Sequence, residues 1–157
     1  MSYPTTITAE PGLPFIDITR EFDAPASAVF RAHTDARLFA KWIGPRGMQI
    51  DSMELDARTG GRWSYAFGCS GESQFSFHGV FHTVEPDTLI IQTAEFNMAP
   101  GQVAVSTLVF AEVNGRTRLS AHEVYPSVEA RDAALASGME YGIKEGYVKL
   151  DELLAQG

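Results

Sequence analysis

The chain lacks most of the features that mark secreted and membrane-spanning proteins. Among its 157 residues there is one cysteine, Cys69, so no intrachain disulfide can form and we expect a reducing, cytoplasmic setting. No stretch approaches the roughly 18 consecutive apolar residues of a membrane span. The first fourteen residues, MSYPTTITAEPGLP, have neither the basic start nor the apolar centre of a signal peptide.

Positive charge is also scarce. Twelve Lys and Arg stand against twenty Asp and Glu, a formal net charge of −8, and the basic residues form no run. Nucleic acids and anionic membranes are bound by clustered positive charge. We therefore expect neither nucleic acid nor a membrane as a partner.

Motifs for metal or nucleophilic chemistry are missing as well. His78 and His82 lie four residues apart on a predicted strand, which separates them by about 13 Å, too far to ligate one metal directly. The sequence has no HExxH, no G-x-S-x-G, no P-loop and no G-x-G-x-x-G after a strand. The sequence thus predicts no metal and no cofactor, and it identifies no catalytic residue.

Hydrophobic spacing and turn residues predict one α+β domain, residues 15–157, after a flexible arm of residues 1–14. A strand at 15–22 precedes two short helices, the first capped by Asp23 and the second capped by Asp35 and ended by Gly44-Pro45. Six further strands between residues 48 and 124 are joined by short turns, which indicates an antiparallel meander. A long helical segment, capped by Ser127 and ending near Leu154, carries one apolar stripe.

One long helix must then cover one face of a sheet of seven strands. If the sheet curves around that helix, the space between them is either filled by large side chains or left as a cavity. Gly138, Gly142 and Gly146 recur every four residues in the helix, at a cost of about 1 kcal/mol each relative to alanine. Something therefore approaches the helix closely there, either the backbone of the sheet or a ligand.

Aromatic and polar side chains suggest what would line such a cavity. Alternation places Trp63, Tyr65 and Phe67 on one face of one strand, and Phe75, Phe77 and Phe81 on one face of the next, a pattern typical of core that also fits an apolar pocket. The predicted ligand-binding residues are Trp42, Trp63, Tyr65, Phe77, Phe81, Ile91, Glu123, Met139, Ile143 and Tyr147.

The polar groups predicted on this apolar face are Glu123, Glu95, Tyr65 and Tyr147. A carboxylate facing an apolar cavity would have a raised pKa and would serve either as a general acid or base or as a hydrogen-bonding handle for a ligand.

Two residues of the short helices have alternative interpretations. Trp42 is either a structural plug of the core or part of the wall past which a ligand enters. His33, on the inner face of the first short helix, is either a semi-buried structural residue or joins Trp42 at that entrance.

Five segments in order resemble the activator-of-heat-shock-ATPase-homologue family of the SRPBCC (START-like, birch-pollen-allergen-like) superfamily. They are EFDAPASAVFRAHTD, KWIGPRG, ELDARTGGRW, FHGVFHTVEPDTLI and GMEYGIKEGYVKLDELLA, and the resemblance runs from about residue 15 to residue 155. It implies the helix-grip fold, a seven-stranded curved antiparallel sheet wrapped around a long C-terminal helix, with two short helices after the first strand. The chain departs from the family pattern at His33, where relatives often have tryptophan, and at Trp42-Ile43, where they often have two aromatics.

The resemblance also implies three candidate functions. The first is binding of an apolar or amphipathic small molecule between the sheet and the long helix. The second is an enzyme of polyketide cyclase, aromatase, hydrolase or lyase type that uses the same cavity. The third is a co-factor that activates a chaperone ATPase, and a homodimer is compatible with all three.

Overall fold

The computed structural model describes residues 3–69 and 72–156 and confirms the α+β class. In this part of the chain the elements are β1 (Thr6–Thr8), β2 (Phe15–Phe22), α1 (Ala26–Thr34), α2 (Ala36–Trp42), β3 (Gln49–Leu55), β4 (Arg62–Cys69), β5 (Glu72–Glu85), β6 (Leu89–Phe96), β7 (Ala104–Val113), β8 (Arg116–Val124), α3 (Val128–Ala136) and α4 (Met139–Ala155). The strands form one antiparallel sheet in the order β1-β2-β8-β7-β6-β5-β4-β3. The predicted meander and the helix-grip arrangement are confirmed.

The sheet has one strand more than the sequence predicted. β1, inside the predicted arm, pairs with β2 so that Thr6 lies opposite Thr19 and Thr8 opposite Asp17. Three residues between prolines are too short for an alternation signal, which is why this strand was missed. The buried Arg131 of α3 also holds this region, because its guanidinium donates to the carbonyl oxygens of Glu10 (3.0 Å) and Phe15 (3.2 Å).

Of the three predicted helix caps, two are confirmed. The Asp35 carboxylate accepts from the backbone N–H of Arg37, and the Ser127 hydroxyl accepts from Ala130. Asp23 is not a cap: Pro25 holds the N-cap position of α1, and the Glu112 carboxylate of β7 accepts the N–H of Ala26 at 2.8 Å. A distant side chain therefore satisfies the N-terminus of α1.

The predicted long helix is two helices. It breaks at Ser137-Gly138, where Gly138 has φ 91°, a left-handed conformation that glycine adopts without strain. Gly138 thus lies at the N-cap of α4 rather than inside a helix.

The two glycines inside α4 approach α2 and the turn after it, not the sheet. A Cβ on Gly146 would lie 3.0 Å from the carbonyl oxygen of Trp42, and one on Gly142 would lie 3.7 Å from Cδ of Pro45. The expectation of close packing is correct at Gly146, but the partner is the backbone where α2 ends.

Part of the core lies between the C-terminal half of α4, α1 and the sheet. Phe22, Val29, Leu119 and Leu150 are at most 1% exposed there. We call the sheet face that carries Phe22 and Leu119 the inner face and the opposite one the outer face.

Candidate functional site

Glu123 lies on the inner face of the sheet. In the register of β8 it is flanked by Ile16 of β2 and Ser106 of β7, which are 0% and 3% exposed. Adjacent strand residues point to opposite faces, so His122 lies on the outer face, where its Nδ1 is 2.6 Å from the Asp17 carboxylate.

The Glu123 carboxylate has two neutral hydrogen-bond donors. The Ser106 hydroxyl donates to it at 3.1 Å and the Tyr125 hydroxyl at 3.3 Å. Burial raises the pKa of Glu123, and the two hydrogen bonds oppose this rise only in part. Burial and the nearby Glu123 charge likewise raise the pKa of Tyr65 and Tyr147. A carboxyl group and three tyrosines therefore share one environment. The sequence did not predict Tyr125 as part of this group, because it follows the end of β8 and strand alternation does not indicate where its side chain points.

The predicted aromatic stripes meet on the inner face beside this group. The ring of Tyr65 lies 5.5 Å from those of Trp63, Phe67 and Phe77, measured between centroids, and 5.6 Å from that of Phe39. These contacts join β4, β5 and α2 in one aromatic cluster.

Next to the buried Ile16 and Ser106, Glu123 belongs to a set of side chains that are less buried than the core. Glu123 itself is half-buried, as are Tyr65 and Phe77 of the sheet and Met139 and Ile143 of α4. Met139 reaches the group directly, since its sulfur lies 4.0 Å from the Tyr125 hydroxyl. We call these five residues together with Tyr125 the open end of the inner face.

The other predicted ligand-binding residues fall in two places. Trp42, Trp63, Phe81 and Tyr147 are core residues, between 3% and 7% exposed. Ile91 follows Ile90, which is 1% exposed on the inner face, so Ile91 points to the outer face, away from Glu123. Because Leu89, Ile90 and Ile91 are all apolar, the sequence shows no alternation there that would indicate which side chain points to the inner face.

Glu95 is likewise on the outer face, contrary to expectation. It lies opposite His78 in the register of β5 and β6, and its carboxylate is 3.3 Å from the His78 imidazole. Since Phe77 is on the inner face, its neighbour His78 and the paired Glu95 are not.

Trp42 and His33 pack against each other within the core. The Trp42 indole donates to the carbonyl oxygen of Ala32 at 2.8 Å, and its ring lies 4.8 Å from that of His33 and 6.0 Å from that of Tyr147. The His33 Nδ1 donates to the carbonyl oxygen of Val29 at 2.8 Å, and burial lowers the pKa of His33 to about 4. These contacts join α1, α2 and α4, and a role of either residue in ligand entry stays a prediction.

The buried His33 should make the fold sensitive to acid. Its folded pKa of about 4 lies below the ordinary value of 6.5, so its contribution is fully present above pH 6.5 and is lost as the pH falls towards 4. At about 1.4 kcal/mol per pKa unit, the loss amounts to about 3 kcal/mol. Denaturant unfolding between pH 7.5 and 4 measures it: His33→Phe should flatten this slope, whereas His82→Phe, at an exposed position, should keep it. An unchanged slope in His33→Phe would contradict the assignment.

Two open grooves lie away from Glu123. One of about 320 Å³ on the outer face is lined by residues that include Arg62, His78 and Glu95, and one of about 560 Å³ beside the β7–β8 turn includes Glu21 and Arg116. Within the described residues, no three His, Cys, Asp or Glu side chains are grouped to hold a metal ion.

The outer face of β7 carries an exposed apolar stripe that the sequence analysis did not identify. Val105, Val109 and Val113 are 43%, 43% and 68% exposed, and Val124 lies opposite Val105 in the register of β8. Exposed apolar surface of this kind is typical of protein contacts.

No helix in residues 3–69 and 72–156 is long and apolar enough to cross a membrane.

Comparison with solved structures finds the same fold in bacterial proteins. A crystal structure from Rhodobacter sphaeroides is 27% identical with a TM-score of 0.88, over 98% of this chain and 100% of the other. One from Mycobacterium smegmatis is 25% identical with a TM-score of 0.85, over 96% and 97%. One from Chromobacterium violaceum is 26% identical with a TM-score of 0.77, over 90% and 96%.

The comparison with curated proteins gives no significant match. Residues 23–155 match the family described as Activator of Hsp90 ATPase homolog 1-like protein. This match covers most of the domain and confirms the resemblance drawn from the five sequence segments. The chain belongs to the Activator of Hsp90 ATPase homolog 1-like protein family.

Proposed function

We propose that the protein binds an apolar or amphipathic small molecule between the inner face of the sheet and the N-terminal half of α4. The observation that supports this is the contrast between the two ends of the inner face. One end is closed by Phe22, Leu119 and Leu150, whereas the open end keeps half-buried apolar side chains around a carboxyl group. Small-molecule sites typically combine such apolar walls with a few convergent polar groups.

The residues of the open end would have distinct roles. Tyr65 and Phe77 of the sheet and Met139 and Ile143 of α4 supply apolar surface for the body of the ligand. Glu123, held by Ser106 and Tyr125, supplies the polar contact that orients it. Trp42, Trp63, Phe81 and Tyr147 lie behind this layer and fix its shape.

Binding of Nile red, a neutral fluorophore that brightens in apolar surroundings, tests the proposal. We expect saturable binding to the wild type and at least tenfold weaker binding to Ile143→Trp, whose indole occupies the open end. The matched control is Tyr141→Trp, which adds the same ring at a position that is 63% exposed on the same helix. Absence of saturable binding to the wild type, or equal binding by both variants, would count against the proposal. Met139→Trp is the second filling variant, should Ile143→Trp unfold.

An enzyme is the second candidate, and Glu123 is the observation that favours it. Its carboxyl group has a raised pKa and touches two hydroxyls on the inner face, the arrangement of a general acid or base. The variant Glu123→Gln separates the two functions, because it removes the acid–base group while the apolar walls and a polar side-chain amide remain for binding.

A protein partner stays a prediction. The family description favours a chaperone, and the stripe of Val105, Val109 and Val113 is the surface on which such a contact or a homodimer would be sought.

A further inference from the structure

The open end contains an acidic group that the protein itself does not neutralise. We propose that the site takes an amphipathic cation, an organic amine whose ammonium group binds the Glu123 carboxylate while its apolar part lies against Tyr65, Phe77, Met139 and Ile143. This inference rests on the proposed function and adds to it the chemical class of the ligand.

The Glu123 carboxylate has no counter-ion among the described residues. The two donors to Glu123, Ser106 and Tyr125, are neutral, and in residues 3–69 and 72–156 no ion pair within 4.0 Å includes this carboxylate. A carboxylate that is partly removed from water and has no cation beside it is destabilised, and burial accordingly raises the pKa of Glu123. A ligand cation at hydrogen-bond distance would remove this destabilisation.

Arg20, the one cationic side chain that the described strands place on the inner face, is already engaged. Arg20 of β2 donates two hydrogen bonds to the Asp151 carboxylate, at 2.9 and 2.5 Å, and a third to the carbonyl oxygen of Glu21. The charge of Arg20 is thus compensated at the packed end, and the charge of Glu123 is left for a partner from outside the chain.

Three tyrosine side chains lie near the Glu123 carboxylate. The Tyr125 hydroxyl donates to it at 3.3 Å, and burial together with the charge of Glu123 raises the pKa of Tyr65, Tyr125 and Tyr147. Aromatic faces attract ammonium groups, and more strongly where water is excluded. Rings and carboxylate together favour a cation over a neutral alcohol, and they disfavour an anion because it would place two negative charges side by side.

The net charge of the protein also favours a cationic ligand, through electrostatic attraction at longer range. At −8 the protein attracts cations and repels anions before they reach the site. This attraction is not specific, so the experiment must separate it from binding at Glu123.

Competition against bound Nile red at pH 7.5 by decylamine, decan-1-ol and decanoate supplies the test. The three share one chain and differ in the head group. We expect the inhibition constant of decylamine to be at least tenfold lower than that of decan-1-ol, and that of decanoate to be the highest of the three. In Glu123→Gln the advantage of the amine over the alcohol, with both affinities referred to the Nile red affinity of that variant, should fall to threefold or less.

The control variant is Glu54→Gln, which removes one negative charge from an exposed position of β3. It should keep the tenfold preference, and an equal loss there would assign the preference to general surface charge and overturn the inference. A wild type that binds Nile red but prefers the alcohol also overturns it, while the proposed function stands. A wild type that binds no Nile red overturns the proposed function itself.

Discussion

We expect Asp151→Ala to lower the free energy of unfolding by about 3–5 kcal/mol, because it strands a buried guanidinium. Arg20 is 2% exposed on the inner face of β2, and the Asp151 carboxylate of α4 receives two of its hydrogen bonds. The guanidinium also lies 4.8 Å from the ring centroid of Phe22, in a place that water does not reach. Without Asp151, the positive charge stays inside the core with no counter-ion.

Denaturant unfolding followed by circular dichroism measures this effect, with the neighbouring residue as a matched control. Glu152 pairs with Arg46 at the surface, where the two side chains are 55% and 48% exposed, so Glu152→Ala should cost less than about 1 kcal/mol. The double variant Arg20→Met, Asp151→Leu removes both charges and should recover most of the lost stability. If Asp151→Ala cost no more than Glu152→Ala, Arg20 would have to reach water by another route.

The second large effect is expected at Gly79 of β5, where alanine should cost about 3 kcal/mol. A Cβ there would lie 1.9 Å from the carbonyl oxygen of Thr93 and 2.8 Å from Nε1 of Trp63. Trp63 lies opposite Gly79 in the sheet, and its indole crosses β5 to donate to that same carbonyl oxygen at 3.2 Å. Alanine would have to displace the indole and move β6, and both changes break this hydrogen bond.

Gly142→Ala is the control for Gly79→Ala, since its new methyl group meets nothing closer than Cδ of Pro45 at 3.7 Å. In the interior of α4 this change should raise stability by about 0.5–1 kcal/mol. Thermal unfolding of the two variants should therefore shift in opposite directions. A Gly79→Ala protein as stable as the wild type would mean that the sheet yields at this point without cost.

The features that could be predicted from the sequence are those decided by neighbouring residues. The caps by Asp35 and Ser127 depend on two or three adjacent positions, and both predictions are correct. The Asn114-Gly115 turn between β7 and β8 is equally local, and both residues have positive φ as such a turn requires.

Features decided by distant residues escaped prediction. The N-terminus of α1 is capped by Glu112, which lies 86 residues away in the sequence, and not by the predicted Asp23. The outward position of Ile91 depends on the register of β6 against β7, which the apolar run Leu89-Ile90-Ile91 does not reveal.

For the candidate site, alternation alone places Glu123 on the same face of β8 as Leu119 and Ala121, which are 1% and 4% exposed. Alternation also indicates that Arg20 lies on the same face of the strand FIDITREF as Ile16, Ile18 and Phe22. What alternation cannot provide is the partner: Asp151 lies 131 residues away and would be assigned to the surface from its sequence context.

The contacts that attach α4 to the rest of the fold are unevenly distributed along the helix. Gly146 in the middle of α4 approaches the end of α2, and Asp151 nearer its C-terminus binds Arg20 of β2, while Met139 and Ile143, nearer its N-terminus, are half-buried. The two residues of α4 that we propose as ligand contacts thus lie apart from these two attachments. If the proposed site binds a ligand, substitutions at positions 139 and 143 should change that binding at less cost to the fold than substitutions at positions 146 and 151.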